Sequence, residues 1–120
     1  MLIEKSEIRE VNGISKEEKQ RIIDFLHGAV YSWCNNNKDT WFSARDFLGR
    51  DNYFWQGTPM IVLYEKHQAS GKKWEDSFKQ AGKEAGWLLK KVIGADKRNF
   101  ETKKIEQIRK YRWTGEKDVS

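Results

Sequence analysis

The strongest constraint on the fold is a single apolar stripe. Trp74, Phe78, Ala81, Ala85, Leu88 and Val92 follow one another at steps of four and three residues. That spacing keeps all six on one side of a 3.6-residue helix, so the segment has a face to bury and needs a partner to bury it against. Gly82 and Gly86 lie four apart on the neighbouring stripe. Each weakens a helix by roughly 1 kcal/mol relative to alanine, so both are expected to let another helix or an aromatic ring pack close. Gly94 is the expected stop.

The rest of the chain supplies partners for that stripe. Ser15-Lys16-Glu17-Glu18 has the form of a capping box. Ile22, Leu26, Ala29 and Trp33, flanked by Ile23, Val30 and Cys34, make one face of a first helix over about residues 16–35, with Asn35-Asn36-Asn37 as its stop. Thr40-Trp41-Phe42 is compatible with a short strand. Ser43 caps a brief helix over Ala44–Leu48, with Gly49 at its end. Gly57-Thr58-Pro59 marks the start of a third helix, with Thr58 as cap and Pro59 in the first turn, running to about Ala69 and ending at Ser70-Gly71. The fourth helix carries the stripe. Asp96-Lys97-Arg98-Asn99 suits a turn, and Phe100–Trp113 fits neither the helical nor the strand period cleanly.

The expected fold is mainly α: four helices around one core, with little or no β structure and room for a short wing near the C-terminus. Residues 1–14 read as an arm, 15–113 as a single helical domain and 114–120 as a flexible tail. The expected core is Ile22, Leu26, Val30, Trp33, Trp41, Phe47, Leu63, Trp74, Phe78, Leu88 and Val92. At 120 residues, one domain of this kind buries roughly two-thirds of its unfolded surface and needs no covalent or metal staple.

Several function classes are disfavoured. The lone Cys34 forms no internal disulfide and fails the zinc patterns built on cysteine pairs, which fits a reducing, cytoplasmic setting. No run approaches the roughly 18 apolar residues that span a bilayer, and the opening residues lack a signal-peptide core. His27 and His67 read as core or boundary residues. No cofactor and no metal site are expected.

Charge points to a partner. Residues 1–60 hold 8 Lys and Arg against 9 Asp and Glu, a net of −1, whereas residues 61–120 hold 15 against 9, a net of +6. Lys90–Arg112 alone has 9 basic and 3 acidic residues. Cations neutralise phosphates and release counterions, and interleaved aromatics stack on bases. The expected nucleic-acid contacts are Lys90, Lys91, Lys97, Arg98, Lys103, Lys104, Arg109, Lys110 and Arg112. The third and fourth helices, joined at Ala69-Ser70-Gly71, have the spacing of a helix-turn-helix, with Lys72 and Lys73 opening the second helix.

The stretch Thr40-Trp41-Phe42-Ser43-Ala44-Arg45-Asp46-Phe47-Leu48-Gly49 also resembles the short strand and second helix of winged helix-turn-helix domains. The resemblance lies in element order over residues 16–113. It implies a reader helix at about 58–69, late strands within Phe100–Trp113, and double-stranded DNA as partner. The long segment Arg50–Gly57 and the apolar third helix depart from that pattern.

Two other readings accompany this one. Tyr53-Phe54-Trp55 is a loop of consecutive rings, which suits a protein–protein or assembly contact, a homodimer included, or a cap on the core. Asp96 with Glu101-Thr102-Lys103 has the order of a Mg-dependent nuclease site, although four intervening residues leave space only for a tight turn. The leading expectation is a non-enzymatic DNA-binding domain.

Overall fold

The structure, a computed structural model, describes residues 9–37, 39–48, 54–96, 98–106 and 108–117. It contains α1 (Lys16–Asn36), α2 (Ile61–Ala69) and α3 (Trp74–Ala95), followed by β1 (Arg98–Ile105) and β2 (Ile108–Lys117). The fold is therefore α+β, which corrects the expectation of four helices with little or no β. The segment expected as a second helix is a single 3-10 turn, Ala44–Phe47, and another such turn covers Trp55–Gly57.

α1 starts where its capping box stands. The Glu18 amide donates to Ser15 Oγ at 3.0 Å, and the Ser15 amide donates to Glu18 Oε1 at 2.8 Å. Ile22, Leu26, Val30 and Cys34 are buried at successive steps of four. The helix continues to Asn36 because the Asn35 and Asn36 side-chain amides donate back to the Tyr31 and Ser32 carbonyls. The left-handed residue after it is Asp39, at φ +66°.

α2 starts two residues later than the sequence reading. Thr58 and Pro59 form a turn in which Thr58 Oγ1 accepts from the Met60 amide at 3.0 Å, and Ile61 begins the helix. Gly71, at φ +91°, makes the bend into α3. An ionic clamp locks α2 to α3. Buried Glu84 of α3 receives Lys66 Nζ at 2.5 Å and His67 Nε2 at 2.7 Å. Lys66 also donates to the Asn12 carbonyl, which ties the arm to α2. Val11 of that arm is itself buried.

The hairpin pairs β1 with β2 in antiparallel register, from Arg98↔Lys117 through Phe100↔Trp113 to Ile105↔Ile108, with an irregularity between Arg98 and Phe100. At the other edge of β2, Phe42 forms a one-residue bridge. Its amide donates to the Tyr111 carbonyl at 2.8 Å, and the Tyr111 amide donates back at 2.9 Å. This bridge carries the chain from α1 along the sheet. Phe42 then becomes the centre of an aromatic cluster, with ring centroids 5.6–6.2 Å from Phe47, Trp33, Tyr111 and Phe100.

Of the expected core, Ile22, Leu26, Val30, Leu63, Leu88 and Val92 are buried, and Trp33 and Phe47 pack against the core half-buried. Trp74, in the first turn of α3, is 63% exposed. Phe42, Met60, Phe100 and Tyr111, outside the expected core, are buried.

Candidate nucleic-acid interface

α3 has two working faces. The stripe from Ala81 to Val92 faces the core, with Glu84, Leu89, Lys90 and Ile93 also buried. Lys79, Gly82, Lys83, Gly86, Trp87 and Lys90 fall at steps of three and four on a second face, and all six line a groove of about 910 Å³. From Lys79 to Lys90 this face runs about 16 Å along the helix axis at 1.5 Å per residue. One wall of the groove is the 3-10 segment, with Ser43, Ala44, Arg45 and Leu48. The other is the hairpin tip, with Lys104, Glu106, Ile108, Arg109 and Tyr111.

The charge of this groove is one-sided. Among the described residues its lining holds Arg9, Arg45, Lys79, Lys83, Lys90, Lys104 and Arg109 against the single carboxylate of Glu106. Arg9 reaches over the half-buried Trp87, its guanidinium 5.7 Å from the ring centroid. A concave wall of like charges raises the local potential and attracts polyanions. The glycines do something other than the expected close packing. A Cβ built on Gly82 or Gly86 meets nothing within 4 Å, so the floor of the groove is bare helix backbone.

The expected contact residues do not form one band. Lys90, Lys104 and Arg109 are in the groove. The hairpin's alternation sends the others elsewhere. Lys103 Nζ lies 4.0 Å above the Trp41 ring, and the Arg112 guanidinium lies 4.7 Å from it. Glu101 pairs with Arg112 at 2.7 Å. Lys110 shares that outer face by alternation. Arg98 is held by Asp96 at 2.9 Å and lies between Tyr31 and Trp113, 4.9 and 5.4 Å from their ring centroids. Lys91 is exposed on α3, and Lys72 and Lys73 are exposed before it, all three outside the groove lining. Lys97 lies outside the described residues. Sequence reasoning missed Arg9, Arg45, Lys79 and Lys83. The signal for the last two was present: they fall on the same stripe as Gly82, Gly86 and Lys90.

The other candidates are placed as follows. Trp55 is buried, stacked on Tyr64 at 6.1 Å and edge-on to Phe78 at 6.4 Å. Phe54 is exposed, and Tyr53 lies outside the described residues. Asp96 and Glu101 are each engaged by an arginine, and the described residues contain no group of three His, Cys, Asp or Glu able to hold a metal ion. Burial pushes the Cys34 thiol up to about 11, and His27 is exposed. Among the described residues no helix is long and apolar enough to cross a membrane. Comparison of the chain with protein-family models, curated proteins and solved structures gave no significant match.

Proposed function

We propose that this domain binds double-stranded DNA through the groove between α3 and the hairpin tip, in the manner of a winged helix. The observation that carries the proposal is the lining itself, among the described residues seven cations against one carboxylate, with uncovered helix backbone at Gly82 and Gly86. The order of elements supports it. A helix, a one-residue strand, two helices joined by a tight turn and a hairpin follow in sequence, and the strand at Phe42 pairs with β2. In this reading α3 is the helix that faces the duplex, and α2 with the Ser70-Gly71 turn sets its angle. The tip between Ile105 and Ile108 is the wing.

Lys79 and Lys83 contact phosphates from the helix side, Lys104 and Arg109 from the hairpin side, and Arg9 and Arg45 from the two ends. Lys90, at the inner end, adds charge to the floor. These are sequence-independent contacts, which position a protein on DNA and dominate its affinity. Lys72, Lys73 and Lys91 add a diffuse field around the site without touching it. Arg98, Lys103 and Arg112 are assigned to holding the hairpin, because their partners are the protein's own rings and carboxylates, and Lys110 lies on the same outer face, away from the groove.

The test is fluorescence anisotropy of a labelled duplex of about 20 base pairs, with the native protein and with Lys79→Glu/Lys83→Glu. Charge reversal of two groove cations is expected to remove binding, whereas Lys72→Glu/Lys73→Glu retains most of it. Equal loss in both double variants would show that net charge, and not the groove, attracts DNA.

A further inference from the structure

One residue of the groove lining, Tyr111, carries a buried polar atom that the fold leaves unused. Tyr111 is 1% exposed, with its ring 6.0 Å from Phe42, and it lines the groove beside Ser43, Leu89, Lys90 and Arg109. Its hydroxyl has no hydrogen-bond partner among the described residues. A buried hydroxyl without a partner is a net loss to folding. A phenylalanine would occupy the same place without that loss. The same groove contains a second concession of this kind. Gly86, one turn before Lys90, weakens α3 and faces open space. Two independent sacrifices of stability, one from the sheet and one from the helix, meet in one groove.

We propose that the Tyr111 hydroxyl donates a hydrogen bond to a phosphate oxygen of the bound strand, at a subsite where Gly86 leaves the α3 backbone uncovered for close approach. This rests on the DNA-binding reading of the groove and assigns one subsite within it. Burial raises the phenol above its ordinary range, with Arg109 opposing the shift. The group therefore keeps its proton at neutral pH and remains a donor. The hydroxyl is shut off from solvent in the free protein. The contact therefore requires the groove side chains beside Tyr111 to move aside when the ligand binds.

The experiment compares Tyr111→Phe with the native protein in two measurements: anisotropy against the same duplex over a series of salt concentrations, and thermal unfolding. The ring is conserved, so the variant is expected to melt at the same temperature or higher. Its affinity falls by about ten- to a hundredfold, the range for a hydrogen bond to a charged group. The loss is the same at every salt concentration, because a neutral donor releases no counterion. Lys83→Ala supplies the contrast, with a shallower salt dependence. If Tyr111→Phe binds within twofold of the native protein while Lys83→Ala weakens binding, the inference is overturned and the groove reading stands. A lower melting temperature with unchanged affinity also overturns it, since the hydroxyl then serves the fold. If the native protein does not bind duplex DNA at all, the groove reading fails and takes the inference with it.

Discussion

Replacing Gly82 and Gly86 with alanine tests the physical basis of the groove without touching a charge. Glycine inside a helix is less favourable than alanine by about 0.8–1.0 kcal/mol. A new Cβ meets nothing within 4 Å at either position, so no clash subtracts from the gain. The gain at each site comes from its own backbone, so the two are summed. The double variant is therefore expected to be about 2 kcal/mol more stable. With a urea slope of about 2 kcal/mol per molar, the midpoint rises by about 1 M. The assay is urea unfolding followed by tryptophan fluorescence and by circular dichroism, whose transitions should coincide. Duplex affinity should move the opposite way, because two methyl groups now stand on the floor where a strand approaches the helix. A midpoint that stays or falls would refute the open floor. A stabilised variant with undiminished affinity would refute the use assigned to the glycines.

Three further outcomes follow from the packing. Glu84→Ala leaves Lys66 and His67 without the carboxylate that joins α2 to α3. It is expected to lose about 3 kcal/mol in urea unfolding, whereas Glu84→Gln, which keeps an acceptor, loses less. Trp74→Ala at the exposed start of α3 should change stability by no more than about 0.5 kcal/mol, whereas Phe42→Ala, at the centre of the aromatic cluster, should lose about 3–5 kcal/mol by the same assay. The Cys34 thiol, raised from 9.0 to about 11 in the fold, binds its proton more tightly folded than unfolded. Its contribution is complete below pH 9 and is lost as pH rises toward 11. Tyr111, also raised, steepens the decline at higher pH. Urea midpoints should fall across that window, and Cys34→Ser should flatten its first part; a midpoint insensitive to pH up to 11 would contradict the burial of both groups.

The helices were legible because each carries its own signal: the capping box at Ser15, the core stripe of α3, the Ser70-Gly71 stop. The hairpin was hidden for a physical reason. Its inward face runs Phe100, Thr102, Lys104 on β1 and Arg109, Tyr111, Trp113 on β2. The half near the tip lines the groove and is cationic, so the alternation of apolar and polar residues breaks down. The turn begins at Glu106, at φ +49°, a residue type that does not announce a hairpin. The tryptophans misled in the opposite direction. Trp41 spends its ring on Lys103 and Arg112 at the surface, while Phe42 beside it goes inward. The basic tract announced its charge but not its direction, because strand alternation divided it between two faces. Lys79 and Lys83 were obscured by the acidic residues around them in sequence: Glu84 turns to the core side of α3, while Glu75 and Asp76 stand in the first turn, just before Lys79.

The central claim is that the groove cations act together on a polyanion. The most direct measurement is the salt dependence of duplex binding by the native protein. If the six groove cations assigned to phosphates all neutralise them, log K falls with log salt at a slope near −5, about a 10³-fold loss of affinity between 50 and 200 mM. Engagement of half of them gives about −3. A slope near zero, or no binding at 50 mM salt, would contradict the account.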